Sequence, residues 1–294
     1  MEKGLFYFIR SNKVILRTII ITLGILIFGF ILFTFYDYET SKVLYGYDTV
    51  VGKVFSDFFY VIGYIPAVLV NAFFFLCLFW YTKKIALKVL FGLLAHFHLV
   101  FAGIVATNLL GVDSTIHLIL GLSIATVLFV PAVLLMKKIP YDTLKSLLYL
   151  CVIGVVFATI ANGITAGIQY TWGRDRFFYV EDSATLGTYA PWYQLTGDTS
   201  AEAKRSFPSM HTSSSFSLVF LMMLAWKFNF RKRTNIILIC LSLIIIICVP
   251  LSRVVMGYHY MTDILFSLII SIIVTFITIM IVDKIKYRSK ANVV

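Results

Sequence analysis

Long apolar runs, each closed by a short charged or polar stretch, recur along the whole chain. A helix needs about 20 apolar residues to cross a bilayer. Eight segments reach or approach that length: about 14–36, 58–80, 89–111, 116–136, 146–168, 211–229, 235–251 and 262–282. Only 111–115 separates the third from the fourth, which predicts a tight hairpin there. The first run follows basic residues, exceeds a signal-peptide core of ~7–15 residues and lacks a small-residue cleavage site, so it reads as a retained span. The pattern predicts an all-α fold, a polytopic transmembrane helical bundle of about eight spans in a single integral membrane domain. Residues 1–145 supply N-terminal spans, and 146–283 carry the polar groups of interest.

Composition agrees with that reading. Of the 294 residues 60% are hydrophobic and 13% charged, against ~25% charged in soluble domains. Cys77, Cys151, Cys240 and Cys248 all fall inside apolar runs and read as small buried hydrophobes, without disulfide or zinc spacing.

Charge adds orientation. Basic residues favour the cytoplasmic side. One set of loops and termini holds 18 of the 25 Lys and Arg against three acids, Glu2, Asp142 and Asp283, while the opposite set holds seven basic residues and 11 acids. Both termini are therefore expected in the cytoplasm, with 37–57, 169–209 and 252–261 facing outward. The net charge of +11 reflects membrane topology, and no nucleic-acid partner is expected. Segment 37–57 alternates Tyr, Val and charge and is expected to lie along the interface. The 169–209 loop is of a length uncommon unless functional or disordered, and its aromatics read as interfacial anchors before ligand contacts. Gly163 and Gly167 form a G-x-x-x-G, which predicts close helix packing.

Candidate chemistry collects on the expected outer side. Pro208 and Ser209 read as a helix start, with His211 in the first turn. Such a start presents free amides and a partial positive charge to an anion. His259 and Asp263 are four apart and share a helical face, so the carboxylate is expected to orient the imidazole. Arg253 lies just beyond Pro250, where the seventh span is expected to end, and Arg174 and Arg176 follow the fifth span. Guanidinium forks suit phosphate oxygens. Two histidines, a carboxylate, three arginines and a helix start fit phosphoryl transfer with no metal and no cofactor. His96 and His98, two apart, point to different helix faces, and Asp113 and His117 are placed to touch as a structural pair.

The spacing S-R-x5-H-x3-D at Ser252, Arg253, His259 and Asp263, preceded by P-S-x-H at Pro208, Ser209 and His211, resembles the type 2 phosphatidic acid phosphatase family. These are the lipid phosphate phosphatases, related to vanadium haloperoxidases. The family's K-x6-R-P motif aligns with Gln169 through Arg176 and Phe177, so the resemblance runs from about 169 to 263. It implies a six-helix core preceded here by two extra spans. It also implies that His259 attacks phosphorus, Asp263 holds its ring, and His211 protonates the leaving oxygen and then activates water. Arg176, Arg253, Ser209 and the Met210 amide would cradle the phosphate, with Gln169 and Arg174 beside them. Gln169, Phe177 and Met210 depart from the family's Lys, Pro and Gly. The implied activity is hydrolysis of a lipid phosphate or polyprenyl diphosphate, such as undecaprenyl diphosphate, at the outer face of the cell membrane. Phosphatidic acid and phosphatidylglycerol phosphate are further candidates. Transfer to another acceptor, and anionic-lipid binding or transport without turnover, stay open. The sequence does not set the oligomeric state.

Overall fold

The computed structural model describes residues 4–107, 113–185 and 187–291. Glu2 and Lys3 of the charge pattern, and residues 111–112 of the expected 111–115 turn, fall outside them. Among the described residues the secondary structure is helical, without strands. The helices are α1 (Leu5–Ser11), α2 (Lys13–Leu44), α3 (Val50–Tyr81), α4 (Ile85–Thr107), α5 (Ser114–Met136), α6 (Tyr141–Trp172), α7 (Phe177–Glu181), α8 (Met210–Ser215), α9 (Val219–Phe228), α10 (Lys232–Val255) and α11 (Met261–Ala291). Seven helical stretches among the described residues are long and apolar enough to cross a membrane. Ile25, Phe28 and Phe35 of α2 leave 65%, 68% and 77% of their surface uncovered, as lipid-facing side chains do. The chain is a multi-pass membrane protein.

Three elements differ from the sequence reading. The sixth expected span, 211–229, is not one helix: α8 passes through a 3-10 turn at Phe216–Leu218 into α9. Its first half reads Thr212, Ser213, Ser214, Ser215 and Ser217, and hydroxyl side chains compete with the backbone for hydrogen bonds. The expected loop 37–57 is mostly helix, because α2 extends to Leu44 and α3 begins at Val50. α10 runs through Pro250 to Val255, so Arg253 sits in its last turn and not in a loop. Membrane helices tolerate an internal proline because neighbouring groups satisfy the freed carbonyl.

The chain resolves into two compact units. The first comprises 1–56, 157–213 and 250–294. In it α2 packs along α11, with Val254, Ile264 and Leu265 buried against Leu26, Phe30 and Phe33. Asp283 of α11 accepts the Phe6 amide at 2.8 Å and so holds the start of α1. The long loop is tied down by aromatics: the Trp172 indole donates to the Trp192 carbonyl at 2.6 Å, and the Trp192 indole donates to Thr34 Oγ1 at 2.9 Å. Phe207 packs on Trp172 and Phe266, with centroids 5.1 and 4.8 Å apart. A Cβ at either Gly163 or Gly167 would meet nothing within 4 Å among the described residues, so the G-x-x-x-G does not make the close packing it predicts.

The second unit comprises 57–156 and 214–249. There α4 and α5 approach closely at Gly103 and Gly121, where a Cβ on Gly103 would lie 2.8 Å from the Gly121 carbonyl oxygen. Asp113 caps α5 by accepting the Thr115 and Ile116 amides, and His117 Nδ1 lies 3.0 Å from Thr107 Oγ1. Those two side chains therefore have separate partners. A cavity of about 600 Å³ in this unit is lined by apolar side chains such as Phe73, Leu99 and Leu128, with Ser217 the polar residue of its wall. None of its lining side chains is titratable, so the cavity itself offers no acid–base group.

Candidate active site

The turn between α10 and α11 builds the centre. Gly257 adopts φ +71°, a left-handed conformation that disfavours other residues, and a Cβ there would lie 3.0 Å from the Phe178 nitrogen. The turn folds back so that the amides of Tyr258 and His259 both donate to the Arg253 carbonyl, at 3.0 and 3.2 Å. Arg253 and His259 are thereby brought together although six residues apart. Both are buried.

His259 Nδ1 lies 2.5 Å from the Ser206 carbonyl oxygen. A carbonyl only accepts, so Nδ1 carries the proton and Nε2 keeps its lone pair. The Asp263 carboxylate, expected to hold the ring directly, is 3.6 Å from Nδ1, in ion-pair range but beyond a hydrogen bond. Asp263 is held instead by Ser206 Oγ at 2.5 Å, the Tyr260 amide at 2.8 Å and Arg174 Nη1 at 2.6 Å. Sequence reasoning missed Ser206. It serves through its carbonyl as well as its hydroxyl, and a carbonyl leaves no trace in residue identity.

Burial pushes the His259 imidazole down to about 4, against the opposing pull of Asp263, while Arg176 and Arg253 act in the same direction as burial. His211 lies within electrostatic reach of Arg253, His259 and Arg176, so these four form one buried cluster. Tyr258 organises the two arginines. The Arg176 guanidinium sits 4.5 Å and that of Arg253 4.7 Å from the centroid of its ring. Arg176 is further fixed by its amide on the Ala203 carbonyl at 2.8 Å and by Nη1 on Glu202 at 3.0 Å. Its Nε has no hydrogen-bond partner among the described residues.

The helix start expected at Pro208 and Ser209 is present as α8. Ser209 Oγ accepts from the Thr212 amide at 3.4 Å and from the Thr212 hydroxyl at 3.0 Å, while the Ser209 amide donates to Ser267 Oγ at 2.9 Å. Met210, half-buried, is the first residue of α8. Its amide is among the four that a helix start leaves without an intrahelical acceptor.

Two further residues that the resemblance sets beside the phosphate, Gln169 and Arg174, are engaged by protein groups. Gln169 is on α6, and its side-chain amide donates to the Pro208 carbonyl at 3.0 Å, bracing the α8 start. Arg174 is fully buried and donates to Asp37, Asp263, Thr262 and the Ala190 carbonyl. Four of the five N–H groups of its guanidinium are thus engaged by protein oxygens. Phe177, in place of the family's proline, is the first residue of α7, where a proline also fits. Its ring packs on Tyr38, Tyr45 and Tyr260 at 5.8, 5.6 and 6.1 Å.

Fold and site together define a multi-pass helical membrane protein with a buried histidine–arginine cluster. Residues 147–287 match the PAP2 superfamily, and this segment belongs to it. That membership supports phosphatase activity on phosphate esters, a hydrolase chemistry. Curated proteins and solved structures returned no match.

Proposed function

We propose that the protein is a membrane phosphatase that hydrolyses a lipid phosphate or polyprenyl diphosphate through a phosphohistidine at His259. The observation that carries this reading is the hydrogen bond from His259 Nδ1 to the Ser206 carbonyl, which leaves Nε2 as the nucleophilic nitrogen. Nε2 attacks phosphorus, the bond to the leaving oxygen breaks, and His211, entering the step as the protonated imidazolium, gives that oxygen its proton. Neutral His211 then takes a proton from water, the hydroxide attacks phosphorus, and the N–P bond breaks to release phosphate and free His259. Arg253, Arg176 with its unpartnered Nε, Ser209 and the Met210 amide hold the phosphoryl oxygens, placing positive charge where negative charge builds up. Gln169, Arg174 and Asp263 position this machinery from behind.

The membrane setting supports a lipid substrate, because a site at the ends of α8, α10 and α11 would meet headgroups before solutes. The charge asymmetry of the loops supports an outward-facing site and cytoplasmic termini in the cell membrane. Phosphate release by purified protein from phosphatidic acid, phosphatidylglycerol phosphate and undecaprenyl diphosphate tests the reading. Release from at least one of them, lost in a folded His259→Ala variant, is expected. Recovery of the label in a second lipid, without free phosphate, would replace hydrolysis by transfer. Binding without turnover across the set would reject catalysis.

A further inference from the structure

We infer that Asp37 is a positioning residue of this site, contributed by the first membrane span from outside the segment that matches the superfamily. The inference rests on the phosphohistidine reading above.

Asp37 leaves only 1% of its surface uncovered. Its Oδ1 accepts the Thr262 amide at 3.0 Å. Its Oδ2 accepts Arg174 Nη2 at 2.8 Å and also the Thr262 hydroxyl. Arg174 Nη1 meanwhile donates to Asp263 at 2.6 Å, so one buried guanidinium bridges two buried carboxylates. Both carboxylates act on the first turn of α11. Asp263, its third residue, reaches back to the Tyr260 amide, and Asp37 takes the amide of Thr262, its second. A helix start leaves four amides without intrahelical partners. Here two are satisfied by these carboxylates, one belonging to α11 and one delivered by α2. The positive end of the helix favours both.

The consequence for the reaction is a matter of charge as well as place. With both carboxylates ionised around the one guanidinium, the trio carries a net single negative charge. When His259 Nε2 bonds phosphorus while Nδ1 keeps its proton, the ring becomes cationic, and that negative charge lies behind it. Replacing Asp37 by Asn neutralises the trio and leaves Arg174 to Asp263 alone. Asp37 and Arg174 are closed off from ligand, so the effect belongs to the chemical step and not to substrate binding.

The experiment compares wild type, Asp37→Asn, Asp37→Glu and His259→Ala as full-length protein in detergent micelles. The probe is dioctanoyl phosphatidic acid, or whichever of the substrates above gives the fastest release. Asp37→Asn is expected to lower kcat about tenfold or more with KM essentially unchanged, as small displacements of reacting groups do. Asp37→Glu, which keeps the charge, is expected to fall between Asn and wild type. Thermal unfolding of each variant reports the structural contribution separately. A lower melting temperature with wild-type kcat in the folded fraction of Asp37→Asn would overturn the inference. If that variant does not fold, wild-type kcat in Asp37→Glu would do the same. Activity retained by His259→Ala defeats the phosphohistidine reading itself, whatever Asp37 does. A silent His259→Ala beside an unimpaired Asp37→Asn defeats this inference alone.

Discussion

His259 is locked by a carbonyl, while the carboxylate four residues on is itself held by a serine, an amide and an arginine. The serine that supplies both the carbonyl and one of those bonds is therefore the residue whose removal separates the two functions. Ser206→Ala keeps the carbonyl, and with it the tautomer, but loses the hydroxyl bond to Asp263. A hydrogen bond to a charged group contributes about 1.5 kcal/mol, so kcat is expected to fall about tenfold in steady-state assays. The protonation of His259 gives a second handle. Its value of about 4 lies below the ordinary ~6.5, so the ring stays neutral through the physiological range. The acid limb of kcat/KM, which reports the free enzyme, is expected near 4 and not near 6.5. The same neutral ring contributes stability above pH ~6.5 that is lost as pH falls through the window toward 4, because the unfolded chain takes up the proton first. His211, His259, Arg176, Arg253 and Asp263, all buried here, were singled out by motif spacing, which reports side-chain chemistry. Ser206 and Asp37 were not: one works through its backbone, and the other comes from a helix more than a hundred residues upstream.

At the scale of elements, hydropathy located the spans and misjudged their ends. Apolar runs stop where charge begins, but α2 continues past that point because Asp37 and Ser41 face inward on its last turns. Pro250 marked an end that the helix does not take, and the serine-rich stretch at Thr212–Ser217 hid a break inside an apolar run. Arg174 and Gln169 were drawn to the phosphate by their charge and motif position. Gln169 on α6 and Arg174 in the connection after it both turn inward to brace other elements. The turn between α10 and α11 depends on Gly257, whose φ of +71° brings its amide within 2.9 Å of the Val254 carbonyl. Gly257→Ala places a side chain in the left-handed region, at about 1–2 kcal/mol. It also presses a Cβ toward the Phe178 nitrogen and the Tyr45 ring. A lower melting temperature in detergent and a loss of activity larger than the lost folded fraction are expected, because the turn sets the spacing of Arg253 and His259. A melting temperature and kcat equal to wild type would contradict this role.

For the whole molecule, the charge asymmetry that the sequence displays is the feature with the widest consequence. With 18 of 25 basic residues in one set of loops, the long segment that carries Asp198 and Glu202 is expected outside and the Tyr81–Ile85 connection inside. In a background without the four native cysteines, a cysteine at Ser200 should react with a membrane-impermeant maleimide on intact cells. One at Thr82 should react only after permeabilisation. The reverse pattern would move the site to the cytoplasmic face. The matched superfamily segment is about half of the chain, and the structure adds a carboxylate from the part that lies before it. The central claim, however, is that His259 carries the phosphoryl group. Incubation with a lipid phosphate labelled in its phosphoryl group, quenched in alkali to preserve a phosphohistidine, tests it directly. The account predicts label on the wild-type protein, more on His211→Ala if water activation is slowed further than attack, and none on His259→Ala. Label persisting on a folded His259→Ala variant would contradict it.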